Sequence, residues 1–246
     1  MSSNQTGHQQ NVVNLGVIIA NVSTFLSGYN PSRLEFTISS LTQLKTESET
    51  VISSWNAAEI KLKNSISARA FTFADLDGLI TRSINALRIS GASEQTVDQA
   101  DNIVRELRGI RATEKPTDEE IAAAKASGEE MKFNVLHNST INSRIENFRK
   151  FILFLSMDSS YNPNEVDINI ESLNAKLQVL IAANDHYTNT NAVLSAARRE
   201  RDIILYANIT GLHDIAGGVK LYVKSAFGSN SAEYKSISDL IFTRPR

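Results

Sequence analysis

No cysteine occurs in the 246 residues, which excludes a disulfide framework, thiolate zinc sites and thiol catalysis. Excess charge is missing too. Twenty-five Lys and Arg against 27 Asp and Glu leave a net −2, so no global field draws the chain toward nucleic acid or an anionic membrane. Long apolar runs are absent. The densest, Phe151-Ile152-Leu153-Phe154-Leu155, falls far short of the ~20 residues a bilayer span needs. Met1 to Gln5 carries no basic segment, and Val12 to Ile19 is interrupted by Asn14 and Gly16, so a secretory signal is not expected and the expected location is the cytoplasm. Proline is sparse: Pro31, Pro116, Pro163 and Pro245 all lie outside periodic segments, leaving wide windows for long helices.

What is present is a phrase written twice. Phe25-Leu26-Ser27-Gly28-Tyr29-Asn30-Pro31 returns as Phe154-Leu155-Ser156 and then Tyr161-Asn162-Pro163. Leu34, Ile38 and Leu41 stand 132 residues before Val166, Ile170 and Leu173. The repetition predicts a tandem duplication of one helical unit.

Asn30-Pro31 and Asn162-Pro163 read as an N-cap followed by proline at the first helical position, with Glu165 closing a capping box in the second copy. Each cap opens a long 3.6-residue pattern. The first stripe is Leu34, Ile38, Leu41, Ile52, Trp55, Leu62 and Ile66; the second is Val166, Ile170, Leu173, Leu177, Leu180, Tyr187 and Leu194. Trp55 and Tyr187 fall at matching positions and predict a common packing layer. A continuous helix of about 40 residues would measure about 60 Å.

A shorter amphipathic helix precedes each cap, on Leu15, Ile18, Val22 and Phe25, then on Ile145, Phe148, Ile152 and Leu155. Breaks into third helices are predicted at Asp77-Gly78-Leu79 and Thr210-Gly211-Leu212. Those helices should end at Gly91 and Gly228, before short helices over Glu94 to Leu107 and Ala232 to Leu240. Thr117-Asp118-Glu119-Glu120 caps an Ala/Lys/Glu-rich linker. Strand-type alternation is nearly absent. The expected fold is therefore all-α, an elongated helical bundle of two tandem related units with long antiparallel helices. The boundaries are 1–10 as a flexible N-terminus, 11–110 and 138–242 as the units, 111–137 as a helical linker and 243–246 as a tail that frays.

The segment Gly211-Leu212-His213-Asp214, Val219-Lys220-Leu221-Tyr222-Val223-Lys224-Ser225-Ala226-Phe227-Gly228 and the stretch Tyr234-Lys235-Ser236-Ile237-Ser238 to Phe242 resemble a family of uncharacterised helical proteins of Bacteroidota-type genomes. The resemblance is clearer over 150–246 than over 10–110. It implies the helical fold and brings no activity or site residue.

Motifs for chemistry are scarce. His8, His137, His186 and His213 are scattered, and no metal or other cofactor is expected. In Asp185-His186 and His213-Asp214 adjacent side chains should diverge on a helix. Gly217-Gly218-Val219-Lys220 lacks the strand and the Ser/Thr of a phosphate loop, and predicts a close helix approach instead. Asp75 and Asp77 read as cap and surface residues. Arg198, Arg199 and Arg201, with Arg105, Arg108 and Arg111, read as solvated, salt-bridged helix ends. The apolar stripe weakens near Lys45 to Ser48 and near Asn184 to Asn191, and the polar layer of Asn184, His186, Asn189 and Asn191 supplies the candidate site residues.

The expected function is that of a non-enzymatic structural or interaction protein, associating with a protein partner or itself, without nucleic acid or membrane. The alternatives are a small-molecule or metal-binding enzyme and a helical pore-forming or membrane-associated protein.

Overall fold

In the computed structural model, residues 3–110, 117, 119, 125–127 and 140–244 are described. Among them there is no strand, and the chain is all-α. The helices are α1 (Ser3–Thr24), α2 (Ile38–Phe73), α3 (Leu76–Ile89), α4 (Glu94–Leu107), α5 (Ile141–Met157), α6 (Ile170–Tyr206), α7 (Leu212–Phe227) and α8 (Ala232–Ser238). The expected linker at 111–137 lies mostly outside the described residues, as do Arg111 and His137. Residues 3–10, within the stretch expected to be flexible, lie in α1, where His8 is buried.

Two compact units form, and neither coincides with an expected repeat. One comprises Met1–Lys63 and Asn189–Arg246; the other comprises Asn64–Thr188. Both long helices, of 36 and 37 residues, are continuous through these boundaries. The first unit packs Val12, Leu15, Ile18 and Val22 of α1 and Leu41 of α2 with Leu205 of α6 and the buried face of α7. The second packs α3 and α4 with Phe148, Phe151, Ile152 and Leu155 of α5 and Leu173, Leu177 and Leu180 of α6.

The caps of the long helices are not where the Asn-Pro pairs put them. Thr37 Oγ1 accepts the Ser40 N–H at 3.3 Å, and Asn169 Oδ1 accepts the Ser172 N–H at 2.8 Å, seven residues beyond Asn30 and Asn162. Between lies a corner built the same way twice. A 3-10 turn, Leu34–Phe36 or Val166–Ile168, precedes the helix. The Tyr29 hydroxyl donates to the Phe36 carbonyl at 2.6 Å, and the Tyr161 hydroxyl to the Ile168 carbonyl at 2.7 Å. The tight turn buries Phe36 and Ile168 and turns Leu34 and Val166 to solvent, reversing the expected stripe at its first position.

The two tyrosines are thus straps across a corner. Burial pushes the Tyr29 hydroxyl up to about 12 and raises that of Tyr161. Tyr29→Phe or Tyr161→Phe strands a buried carbonyl, and each is expected to cost about 1–2 kcal/mol in urea denaturation, with the fold intact by circular dichroism.

Chain punctuation follows the expected glycines. Gly91 and Gly228 have φ of +88° and +95°, and Ser93 and Ser231 then cap α4 and α8 through the Thr96 and Tyr234 N–H groups. The first predicted break is misplaced: α3 begins at Leu76 and Gly78 lies inside it. Burial of Leu76 and Ile80 draws the start forward, and Lys176 holds Asp75, just before it, at 2.6 Å. The phrase Phe-Leu-Ser also misleads, because Leu26 is exposed in a turn with φ +51° while Leu155 is buried within α5.

Candidate functional site

Helix α1 carries a polar strip beside its apolar one. His8, Asn11 and Asn14 recur every three residues, so they drift slowly around the helix and flank Val12, Leu15 and Ile18. His8 is 3 % exposed and Asn11 fully buried, so each needs partners inside the protein. Those partners come from the segment after α8 and from the end of α6.

That segment has no neighbouring strand, so its backbone is paired by side chains. Asn11 Nδ2 donates to the Thr243 carbonyl at 2.7 Å while Asn11 Oδ1 accepts the Thr243 N–H at 2.9 Å. Asn14 Nδ2 donates to the Ile241 carbonyl at 2.7 Å. Lys220 Nζ reaches the Ser238 and Leu240 carbonyls at 2.7 and 3.0 Å. Arg244 donates to the Tyr206 carbonyl. Thr243 and Arg244, expected to fray, are therefore tied down.

Asn11 Nδ2 also donates to the Tyr206 hydroxyl at 3.3 Å, and that hydroxyl lies 2.6 Å from His8 Nδ1. When His8 is neutral with its proton on Nε2, the hydroxyl accepts from Asn11 and donates to Nδ1; the direction of the second bond follows the tautomer. The imidazole meets the Trp55 ring edge-on at 5.4 Å, and the Arg201 guanidinium sits 4.4 Å from the centre of the same indole. Trp55 Nε1 is buried with no hydrogen-bond partner among the described residues.

Burial lowers the pKa of His8, Arg201 lowers it further, and Asp202 partly offsets them. Burial pushes the Tyr206 hydroxyl up to about 12. A histidine kept neutral when folded binds fewer protons than the unfolded chain below its ordinary value of 6.5. Stability is thus fully present above pH 6.5 and falls as pH drops through the lowered folded value. The urea midpoint should decline below pH 6.5 for the native protein and decline less for His8→Gln.

The four candidate residues from the sequence do not converge. Asn184 accepts from Arg69 at 3.1 Å and donates to Asn142 at 2.8 Å. His186, Asn189 and Asn191 are exposed, and around a helix His186 points almost opposite Asn184. The Arg69 guanidinium lies 3.6 Å from the centre of the Tyr187 ring.

Here a second recurrence emerges. Arg69 and Arg201 are 132 residues apart, as are Tyr187 and Trp55, so each unit stacks an arginine from one half of the chain on an aromatic ring from the other. Arg201, expected on a solvated face, is instead a packing cation with a side chain 11 % exposed. Arg108 donates to Thr81 at 2.6 Å. His213 and Asp214, expected to diverge, hydrogen-bond at 2.9 Å, and with the Ile209 N–H this holds the Asp214 carboxyl below its usual range.

Among the described residues no three His, Asp or Glu side chains form a group able to hold a metal, and no helix is long and apolar enough to cross a membrane. The chain matches no protein-family model, no curated protein and no solved structure.

Proposed function

We propose that the protein is a non-enzymatic helical scaffold that works by protein association, through the outer faces of its long helices and the corners that open them. The observation that carries this reading is a set of large apolar side chains left exposed at positions 132 residues apart. Leu34 and Val166 are 76 % and 75 % exposed, and Phe71 and Ile203 are 85 % and 62 % exposed. Single exposed apolar residues are ordinary. Exposure at the same place in both halves offers two equivalent contacts to a partner.

The tandem organisation belongs to the same reading. It is supported by the paired tyrosine corners, by Phe36 and Ile168 buried at equal spacing, and by the reciprocal arginine–aromatic stacks. An antiparallel course of the long helices is supported within the second unit, where Arg69 of α2 and Asp75 just beyond its end reach Asn184 and Lys176 of α6.

Light scattering across a concentration series, with affinity capture from cell extract, tests the proposal. The native protein should form a defined oligomer or retain a stoichiometric partner. Leu34→Ser with Val166→Ser should weaken that association about tenfold or more while the unfolding free energy measured in urea changes by less than about 0.5 kcal/mol. A monomer that captures nothing, or association indifferent to all four positions, would overturn it.

A further inference from the structure

His8 is buried where a positive charge finds no free anion. Its ring is 3 % exposed and lies between the Tyr206 hydroxyl at 2.6 Å and the Trp55 indole at 5.4 Å. Helix α1 brings no charge of its own, since Ser3–Thr24 contains no Asp, Glu, Lys or Arg. Helix α2 presents the uncharged Trp55. Helix α6 brings Arg201, Asp202 and Tyr206, and the Asp202 carboxylate is held by Arg201 at 2.7 Å. The segment after α8 brings a further cation, Arg244, which donates to the Tyr206 carbonyl.

The same ring is wired to that segment. The Tyr206 hydroxyl beside His8 accepts from Asn11 Nδ2, and Asn11 pairs with both the N–H and the C=O of Thr243. A Cβ placed on Gly7 would lie 3.1 Å from Thr243 Oγ1, so residue 243 rests against the turn of α1 that carries His8. At neutral pH the segment is firmly seated, with Leu240 and Phe242 packed on the core of the unit. Charging the ring changes the balance. Both ring nitrogens become donors, so the hydroxyl must accept from His8 and Asn11 at once. An imidazolium without an anion also needs water, and the backbone of 241 and 243 is held over α1 by side chains, not by a strand ladder.

We propose that His8 is the proton-sensitive catch of a latch formed by residues 240–244: charging the imidazole lifts the segment from α1 and uncovers the apolar face beneath Leu240 and Phe242 while the rest of the unit stays folded. The latch does not depend on the association reading. The sign follows from linkage. The opened segment leaves His8 near its ordinary 6.5, whereas the closed one holds it lower by burial and by Arg201. Opening is therefore favoured progressively below pH 6.5, by up to about tenfold per pH unit, until the lowered closed value is passed.

The single tryptophan reports the catch from inside, because a charged imidazole against the indole quenches its emission. In full-length protein Trp55 emission should titrate with a midpoint below pH 6.5, and His8→Gln should remove that step. Amide exchange of Thr243, corrected for its intrinsic rate, should lose up to about tenfold protection per pH unit over the same range. Val219 and Val223, buried in α7, should keep theirs. Cysteine is absent, so Gly7→Cys with Thr243→Cys provides one disulfide that locks the segment down. By reciprocity the locked protein should titrate at lower pH than the native one, and reduction should restore the midpoint.

Three outcomes would overturn the latch. Equal loss of protection at Thr243 and Val219 would show the unit unfolding as a whole. A Thr243 response that persists in His8→Gln would put the proton elsewhere. A double variant that fails to close, or closes and keeps the native midpoint, would show that the segment and the imidazole are not coupled.

Discussion

Gly218→Val is expected to lower stability by about 3 kcal/mol, while Gly217→Ala, one residue earlier, raises it by about 0.5–1 kcal/mol. Both glycines lie in α7, where alanine is intrinsically favoured over glycine. Their surroundings set the opposite signs. A Cβ at 217 meets nothing within 4 Å, whereas one at 218 falls 2.4 Å from Cζ and 2.9 Å from Cε1 of Phe36. The phenyl ring has little freedom to withdraw. It is buried, and its carbonyl is clamped by the Tyr29 hydroxyl.

Gly218→Ala should already be destabilising, because the clash outweighs the gain in helix propensity. Urea midpoints at constant m measure each effect. In a Phe36→Ala background the cost of Gly218→Val should fall well below its value in the native protein, the signature of two residues sharing one space. Additive costs would show that the ring and the glycine are not in conflict.

Phe148→Ala is expected to cost about 3–5 kcal/mol, a large part of the 5–15 kcal/mol that holds a typical domain together. The ring is fully buried in the core of the second unit, and the neighbouring Phe151, Ile152 and Leu155 come from its own helix. Rigid helices on several sides prevent collapse into the void, so the cavity term adds to the lost transfer energy. Leu15 of α1 is the corresponding fully buried residue of the first unit; Leu15→Ala should cost less, about 2–4 kcal/mol, because less volume is removed. Phe148→Leu should recover most of the loss. If Phe148→Ala costs under about 1 kcal/mol, the second unit has no close-packed core.

The helices were legible in the sequence where periodicity and capping agree. The bounds of α4, Glu94 to Leu107, follow from Ser93 before it and the apolar positions Val104 and Leu107 within it. Trp55 and Tyr187 were legible as counterparts because aromatic residues are few. Their arginine partners were not: Arg69 and Arg201 sit among other charges, and only the stacking in three dimensions separates a packing cation from a solvated one.

The corners misled for a different reason. Asn-Pro is a helix-opening signal on local grounds, but burial of Phe36 and Ile168 rewards a 3-10 turn and postpones the helix by seven residues. The polar layer did not converge on one site, since composition marks a polar stretch without saying which way each residue faces; Asn184 turns to Arg69 and Asn142. The buried strip of His8, Asn11 and Asn14 was hidden by its position near the start of the chain. Its three-residue spacing beside an apolar stripe was the available signal.

The division of the chain sets a schedule on the ribosome. Residues 64–188 are contiguous, so the unit they build has all its parts once synthesis has moved past residue 188. The other unit needs residues 1–63 to wait for 189–246, with the whole of its neighbour made in between. Closing so long a loop costs more conformational entropy and slows folding. Until then the apolar face of α1, with Leu15, Ile18 and Val22, has lost its α7 partner and is open to chaperones or to misassembly with another nascent chain. Expression by halves cut near the middle of the chain would split both units, whereas residues 64–188 alone keep one set together.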